Sequence, residues 1–274
     1  MKSLLTRAIS AIIAVLTIYL LYFFFHSNGF KILIAIGAFI GSFELMKILF
    51  KESDSKSNKF VFYILLVSVF ILSSFFPANA AIIFAFFSIS YMLFSMLILH
   101  KFEDLNELNL FQAKSVLGFF YMGLLPSFMI RILDLPNGLV WINFLMAVVF
   151  AGDIGAYLTG ITMGKRKIMP TISPKKTVEG SLGGIVFSLL ASLIIKSYFL
   201  THINLISLFV LTFATSIVAQ FGDFFESILK RVAEVKDSGS IMPGHGGILD
   251  RVDGILFAAP VVLFGALLLE KMLF

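Results

Sequence analysis

The stretch from Ser216 to Gly254 concentrates residues that could do chemistry between two hydrophobic segments. Polar side chains in its first part recur at spacings of three and four residues, which places them on one face of a helix. These are Ser216, Gln220, Asp223 and Ser227. A glycine-rich segment follows. Ionisable groups in so hydrophobic a setting are costly and usually mark a site that binds something.

Carboxylates and basic side chains alternate along this stretch. The candidate ligands among its carboxylates are Asp223, Asp250 and Asp253, and the basic residues are Lys230, Arg231, Lys236 and Arg251. Magnesium takes one or two carboxylates and leaves its other positions to water and phosphate oxygens. Carboxylates beside lysines and arginines recur in phosphoryl and nucleotidyl transfer. The pattern favours a divalent cation site, and a set of internal ion pairs is the alternative.

His245 lies between glycines in the same segment. A histidine in such a loop could be a metal ligand, a general base or a residue that hydrogen-bonds the backbone, and the sequence leaves these roles open.

A second polar segment lies upstream, from Asp153 to Gly180. Small residues recur there every fourth position, a pattern typical of closely packed membrane helices. They are Gly152, Ala156, Gly160 and Gly164. Packing does not explain Asp153, or Tyr157 one turn later on the same face.

Hydroxyl side chains alternate with lysines in the loop that follows this helix. The residues are Ser173, Lys175, Lys176 and Thr177, and a helix start is expected near Glu179. Lysines neutralise negative charge, and amides at a helix N-terminus point towards an anion. The loop is therefore predicted to bind an oligophosphate.

Composition places these motifs in a membrane protein. Of 274 residues, 59% are hydrophobic and 14% charged, against about 25% charged in ordinary globular domains. The net charge of +5 is attributed to Lys and Arg in cytoplasmic loops rather than to nucleic-acid binding. Cysteine is absent, which excludes disulfides and thiolate metal sites.

A transmembrane helix needs about 20 apolar residues. On that basis the sequence predicts an all-α polytopic integral membrane protein with about nine transmembrane helices. They lie near 4–25, 31–50, 60–76, 79–99, 115–133, 138–163, 181–199, 204–232 and 253–272. The first is interpreted as an uncleaved helix, because no Ala-x-Ala-like cleavage site follows it.

The whole chain, 1–274, is predicted to form a single integral membrane domain. Residues 1–110 would be a helical scaffold in which Glu44 is the one unexpected side chain, and 111–274 would carry the catalytic helices and motif loops. The distribution of Lys and Arg predicts an N-in, C-out orientation, with loops 164–180 and 233–252 on the cytoplasmic side of the cell (inner or plasma) membrane.

The glycine-rich segment resembles the signature of the phosphatidate cytidylyltransferases, or CDP-diacylglycerol synthases. The matching positions are Ser227, Lys230, Arg231, Lys236, Asp237, Pro243, Gly244, His245, Gly246, Gly247, Asp250, Arg251 and Asp253. The segment from Asp153 to Gly180 is similar to that family as well. Together the motifs cover about the C-terminal half, with departures at Ile161, Val178 and Met242.

The resemblance implies that CTP and phosphatidic acid react at the lipid bilayer to give CDP-diacylglycerol and pyrophosphate. It implies Mg²⁺ held by Asp223 and Asp250, with Asp253 as an additional ligand and a second metal or monovalent cation left open. Substrate contacts are expected from Asp153, Tyr157, Ser173, Lys175, Lys176, Thr177, Ser227, His245, Gly246 and Gly247. Phosphate contacts are expected from Lys230, Arg231, Lys236 and Arg251. A homodimer is also expected.

Other functions compete with this one. A CDP-archaeol synthase, or a polyprenol or phytol kinase that uses CTP, would need similar carboxylates and basic residues. An ion-coupled transporter would also bury carboxylates, but no inverted repeat is visible, and the loop lysines and glycines would have no role in transport.

Overall fold

The computed structural model describes residues 20–21, 23–50, 55–98, 102, 104–241 and 246–271. The described residues form no β-strand, and an isolated antiparallel bridge joins Lys167 to Thr177. The helices are α1 (Ser27–Leu49), α2 (Lys56–Phe75), α3 (Ala80–Leu97), α4 (Leu105–Gly118), α5 (Leu125–Leu133), α6 (Gly138–Met163), α7 (Val178–Tyr198), α8 (Leu205–Val232) and α9 (Leu249–Leu269). The predicted all-α class is confirmed.

Eight helical segments in the described ranges are long and apolar enough to cross a membrane. One of them, Leu105–Leu133, joins α4 to α5 through a π-helical segment, Phe119–Leu124. The predicted helix at 4–25 lies mostly outside the described residues, although residues 20, 21 and 23–25 are helical. The polytopic membrane class is thus supported, and the count of nine remains a prediction.

Helices α1, α2, α4, α7 and α9 all begin earlier than the sequence predicts. Helix α4 begins at Leu105 rather than near 115, because its first turns carry polar residues that lower local hydropathy, and the Asp104 side chain accepts a hydrogen bond from the amide of Glu107 at 2.7 Å. Helix α9 begins at Leu249 rather than at 253. Asp250, which the sequence places in the loop 233–252, therefore belongs to the first turn of α9, and Asp253 lies one turn further along the same helix.

The chain forms two compact units. The N-terminal unit contains the chain up to Arg131 and the later segment Val235–Leu249, and the C-terminal unit contains Ile132–Glu234 and the chain from Asp250 onwards. An aromatic cluster packs the N-terminal unit: the rings of Phe62 and Phe119 stack at 5.4 Å between centroids.

Helices α6 and α7 of the C-terminal unit approach each other through small residues. A Cβ atom added at Gly152 would lie 2.8 Å from the Ser188 hydroxyl oxygen, too close for a methyl group. That hydroxyl donates to the carbonyl of Val148 at 2.8 Å and lies 3.1 Å from the hydroxyl of Ser216. The predicted small-residue face is confirmed as a packing surface.

Candidate active site

A cavity of about 560 Å³ lies in the C-terminal unit, among α6, α7, α8 and the loop between α6 and α7. It brings together six of the residues that the sequence selects. They are Asp153, Tyr157, Lys175, Lys176, Thr177 and Asp223. Two segments about 50 residues apart in the sequence therefore contribute to one concave site, which is the usual form of a small-molecule site.

Asp223 and Lys176 form an ion pair at this cavity. The Lys176 ammonium also lies 4.2 Å from the centroid of the Phe224 ring, so the aromatic face contributes a cation–π contact. The two charged side chains keep 29% and 35% of their surface exposed. A phosphate that enters the cavity can therefore reach the lysine without prior unfolding of the site.

Carboxylates gather around Asp223. Asp153 and Asp253 both lie within electrostatic range of it, and Arg251 and Lys176 provide partial compensation at Asp153. One Asp253 oxygen accepts a hydrogen bond from the amide of Gly254 at 2.8 Å, which ties it to its own helix. Helices α6, α8 and α9 thus each direct one aspartate into the same region of the unit.

A second charged network joins α8 to α9. Lys230 is shared by two carboxylates, those of Glu226 and Asp250, and its Nζ atom lies 2.6 Å from Oδ1 of Asp250. Glu226 is completely buried and Lys230 is 15% exposed. The positive charge of Lys230 thus partly neutralises two carboxylates that are buried or nearly so.

The loop between α6 and α7 folds back on the start of α7. One oxygen of Glu179 accepts from the amides of Lys165 and Arg166, at 2.9 and 3.1 Å, and the other accepts from Nε of Arg166. Thr177 caps the helix by accepting from the amide of Gly180 at 3.1 Å. These hydrogen bonds hold both ends of the loop that contains Lys167, Lys175 and Lys176 against the start of α7.

Three further predicted residues of the C-terminal unit lie beside the cavity lining. Ser173 begins a turn in which its carbonyl accepts from the amide of Lys176 at 3.3 Å. The Ser227 hydroxyl lies 3.5 Å from Oδ1 of Asp223. Arg231 is exposed, and its Nε donates to the carbonyl of Ile172 at 3.1 Å. Each of these residues therefore touches an element that carries a lining residue.

The remaining predicted residues belong to the N-terminal unit. Lys236 is exposed. Gly246 has a φ of 84°, a conformation that favours glycine. Gly247 packs closely against Ser238 and Glu44. The prediction for His245 lies outside the described residues, as do the predictions for Pro243 and Gly244.

Four residues that the structure places in or near these sites received no predicted site role from the sequence. Lys167 and Gln220 line the cavity, Glu226 pairs with Lys230, and Glu44 contacts the glycine-rich segment. A signal existed for three of them: Gln220 and Glu226 accompany the polar face of α8, and Glu44 interrupts an apolar helix. For Lys167 the sequence offered only its place in the basic run from Lys165 to Lys167.

The carboxylates suit a hard divalent cation in their chemistry. Magnesium needs one or two carboxylates and keeps several waters, and Asp153 and Asp223 line the same cavity. Among the described residues, no group of three or more Asp, Glu or His side chains is arranged as a ready metal site. Asp250 is paired with Lys230. The donor set therefore fits a cation that completes its coordination with water and phosphate.

Comparison with known proteins identifies the family. A family model described as "Cytidylyltransferase family" matches residues 5–268. The chain belongs to the cytidylyltransferase family. A phosphatidate cytidylyltransferase from Bacillus subtilis (strain 168) is 38% identical over 243 residues, which cover 86% of this chain and 87% of that relative.

Shorter alignments agree with this assignment to the cytidylyltransferases. A phosphatidate cytidylyltransferase from Staphylococcus epidermidis is 46% identical over 126 residues, 46% of this chain and 48% of the relative. One from Synechocystis sp. is 38% identical over 188 residues, 59% of this chain and 64% of the relative. The predicted family resemblance is confirmed, and the match extends into the N-terminal half, where the sequence alone suggested only similar hydropathy.

Proposed function

We propose that this protein transfers CMP from CTP to phosphatidic acid and releases CDP-diacylglycerol and pyrophosphate. The observation that carries the proposal is the match over 86% of the chain to a protein named for this activity. The cavity agrees with it, because three lysines, Lys167, Lys175 and Lys176, line the same space as two carboxylates.

The reaction joins two anions. A phosphate oxygen of phosphatidic acid attacks the α-phosphorus of CTP, a new phosphorus–oxygen bond forms, and the bond from the α-phosphorus to the bridging oxygen breaks as pyrophosphate leaves. The nucleophile is already ionised, so no strong general base is required. Electrostatic repulsion between the two reactants is the main barrier to the reaction. Positively charged groups held in fixed positions lower that barrier.

The basic residues divide naturally between the two substrates. Lys175 and Lys176, with Ser173 and Thr177, would bind the triphosphate. Lys230, Arg231, Lys236 and Arg251 would bind phosphates of CTP or phosphatidic acid. The remaining substrate contacts are proposed for Asp153, Tyr157, Ser227, His245, Gly246 and Gly247. Tyr157 and Ile161 are 67% and 66% exposed at the cavity, which suits the apolar part of a lipid.

Asp223 and Asp250 are the proposed Mg²⁺ ligands, and Asp253 an additional one; a second metal or a monovalent cation is also compatible with so many carboxylates. When bound, the cation supplies Lewis-acid stabilisation of the charge on the transferring phosphate. Lys176 pairs with Asp223 and Lys230 with Asp250 and Glu226. If Asp223 and Asp250 held a cation, both lysines would lose an aspartate partner and could turn to phosphates.

We also propose the setting of the reaction. The excess of Lys and Arg in one set of loops supports an N-in, C-out topology in the cell membrane with the active site facing the cytoplasm, where CTP is present. The many exposed apolar side chains of the helices suit lipid or a second copy of the chain, and a homodimer is the proposed assembly. Its measurement is the mass of the detergent-solubilised protein.

Labelled CTP tests the activity directly. Purified protein is incubated with phosphatidic acid, Mg²⁺ and CTP that carries its label in either the α- or the γ-phosphate. We expect the α label to enter the lipid and the γ label to appear in pyrophosphate. A lipid kinase would instead place the γ label in the lipid and release CDP. Parallel reactions with archaeal ether-linked lipid test the nearest alternative substrate.

A further inference from the structure

Glu44 is a buried carboxylate that the proposed chemistry does not use. It lies in the last two turns of the largely apolar helix α1, and only 2% of its surface is exposed. A carboxylate in such a place requires hydrogen-bond donors, because desolvation of an unpaired charge costs several kcal/mol. Among the described residues, its hydrogen-bond donors come from one segment about 200 residues later in the chain.

Three groups of residues 238–249, the signature segment, donate hydrogen bonds to Glu44. The amide of Leu249 donates to Oε2 at 2.9 Å, the amide of Ile248 donates to Oε1 at 3.2 Å, and the Ser238 hydroxyl donates to Oε2 at 3.3 Å. Ser238 is 6% exposed and Leu249 is fully buried. The carboxylate thus joins both ends of the segment 238–249 within the N-terminal unit.

Two of these donors are amides at the N-terminus of α9. The first amides of a helix have no partner within the helix, and they favour a negative charge nearby. Glu44 satisfies the amide of Leu249, the first residue of α9, and that of the residue before it. A side chain from α1 therefore caps α9 in place of a local Ser, Thr or Asp.

Glycines permit this arrangement on both sides. A Cβ atom at Gly247 would lie 2.6 Å from Oε2 of Glu44, and one at Gly239 would lie 2.8 Å from its Cδ atom. Neither residue could carry a side chain without displacement of the carboxylate. Because position 247 has no side chain, its backbone can lie directly against the Glu44 carboxylate and the Ser238 hydroxyl.

We propose that Glu44 is a positioning residue for the transfer reaction. Its carboxylate fixes the signature segment up to Leu249, the residue from which the chain continues directly into Asp250 and Arg251. Lys236 and Asp237 directly precede Ser238 and are restrained at the other end. The catalytic consequence rests on the proposed function, whereas the anchoring of the segment does not.

The test compares Glu44→Gln with Glu107→Gln in purified, detergent-solubilised protein. Glutamine keeps the size of the side chain but replaces one accepting oxygen with an amide that faces donors. Glu107 is an exposed residue of α4 in the same unit and serves as the matched control. Hydrogen exchange of peptides from segment 236–251 reports the anchoring, and CMP transfer into lipid reports the catalytic consequence.

We expect Glu44→Gln to raise exchange in segment 236–251 by about tenfold or more, which corresponds to the loss of roughly 1.4 kcal/mol of local protection. We expect kcat to fall roughly 10- to 100-fold, since small displacements of positioned groups have such effects. The KM for CTP should rise by a smaller factor than kcat falls, because Lys175 and Lys176, which would bind the triphosphate, lie outside this segment, whereas Lys236 and Arg251 lie within it. Glu107→Gln should leave all three quantities unchanged.

Ser238→Ala is a milder test of the same contact, because it removes one hydrogen-bond donor to Glu44 and keeps the carboxylate. It should change exchange and kcat in the same direction but less, and its effects should not add to those of Glu44→Gln, because both act on one contact. If Glu44→Gln does not fold, Ser238→Ala and Gly247→Ala carry the test.

Several results would overturn the proposal. These are wild-type exchange in segment 236–251 of Glu44→Gln, wild-type kcat in a variant whose exchange has risen, and a loss expressed only in the KM for CTP. If the wild-type protein transfers no CMP, the proposed function fails, and the exchange measurement still decides whether Glu44 anchors the segment.

Discussion

Lys230 and Asp250 form an ion pair in which Nζ lies 2.6 Å from Oδ1, and the same ammonium pairs with Glu226. Asp223 pairs in a similar way with Lys176. Asp223 and Asp250, two of the three aspartates proposed as cation ligands, are therefore each matched with a lysine proposed to bind phosphate. Substrate and cation binding would exchange these partners, so that carboxylates meet the cation and lysines meet phosphates.

Lys230→Met should destabilise the protein strongly. It leaves the completely buried Glu226 and the nearly buried Asp250 without their shared cation, and removal of one partner from a buried ion pair typically costs about 3–5 kcal/mol. The thermal unfolding temperature in detergent measures this effect. Adding Glu226→Gln should recover much of the stability without restoring CMP transfer. A double variant that regains activity would show that Lys230 is only structural.

Asp223→Asn should separate catalysis from stability. Its ion pair with Lys176 is partly exposed on both sides and contributes no more than about 1 kcal/mol, so the unfolding temperature should stay within a few degrees of wild type. CMP transfer should fall by at least about 100-fold, as for the loss of a group that stabilises transferring charge. Asp134→Asn, on an exposed turn before α6, is the matched control. Near-normal turnover in Asp223→Asn would contradict its proposed role.

Much of this architecture could be predicted because the strongest signals in a membrane protein are local. Helix α6 begins and ends at the residues that hydropathy indicates, 138 and 163. The grouping of Asp153, Lys176 and Asp223 at one cavity followed from recognition of a family pattern in two segments. No periodicity in the sequence would have brought those segments together without that resemblance.

Long-range partners could not be predicted. Nothing near Glu44 indicates that its donors are Ser238, Ile248 and Leu249, because such contacts depend on the packed fold. The start of α9 was also misplaced, since charged residues in its first turns look like a loop in a hydropathy profile. The cap that allows the helix to begin at Leu249 comes from a different helix.

The packing of α6 against α7 should be sensitive to a single methyl group. At Gly155 an added Cβ would lie 2.5 Å from Cβ and Cγ of Phe187, and overpacking of this kind typically costs about 1–3 kcal/mol. Gly155→Ala should therefore lower the unfolding temperature. Gly37→Ala is the matched control in α1, where the new methyl would meet only Ile248 at 3.9 Å. It should be neutral or stabilising by up to about 1 kcal/mol, because alanine favours helices. Equal effects at both positions would contradict the close packing seen here.

A polar cluster after the C-terminus of α9 should make stability depend on pH. Burial alone would raise the pKa of Glu270, but hydrogen bonds from Asn137, Trp141 and His202 together lower it. A carboxyl group whose pKa is depressed by folding contributes stability above its unfolded pKa, about 4.5, and that stability is lost as the pH falls through the lower folded value.

Glu270→Gln should therefore destabilise the protein at pH 7, by about 1–3 kcal/mol for the loss of hydrogen bonds to a charged group. The difference from wild type should shrink as the pH falls below about 4, where the wild-type carboxyl group is neutral as well. Unfolding temperatures of both proteins across this pH range measure the effect. His202→Ala should reproduce only part of it, because the donors from Asn137 and Trp141 remain. A difference that stays constant across the range would mean that the shape of the side chain, not its charge, holds the cluster together.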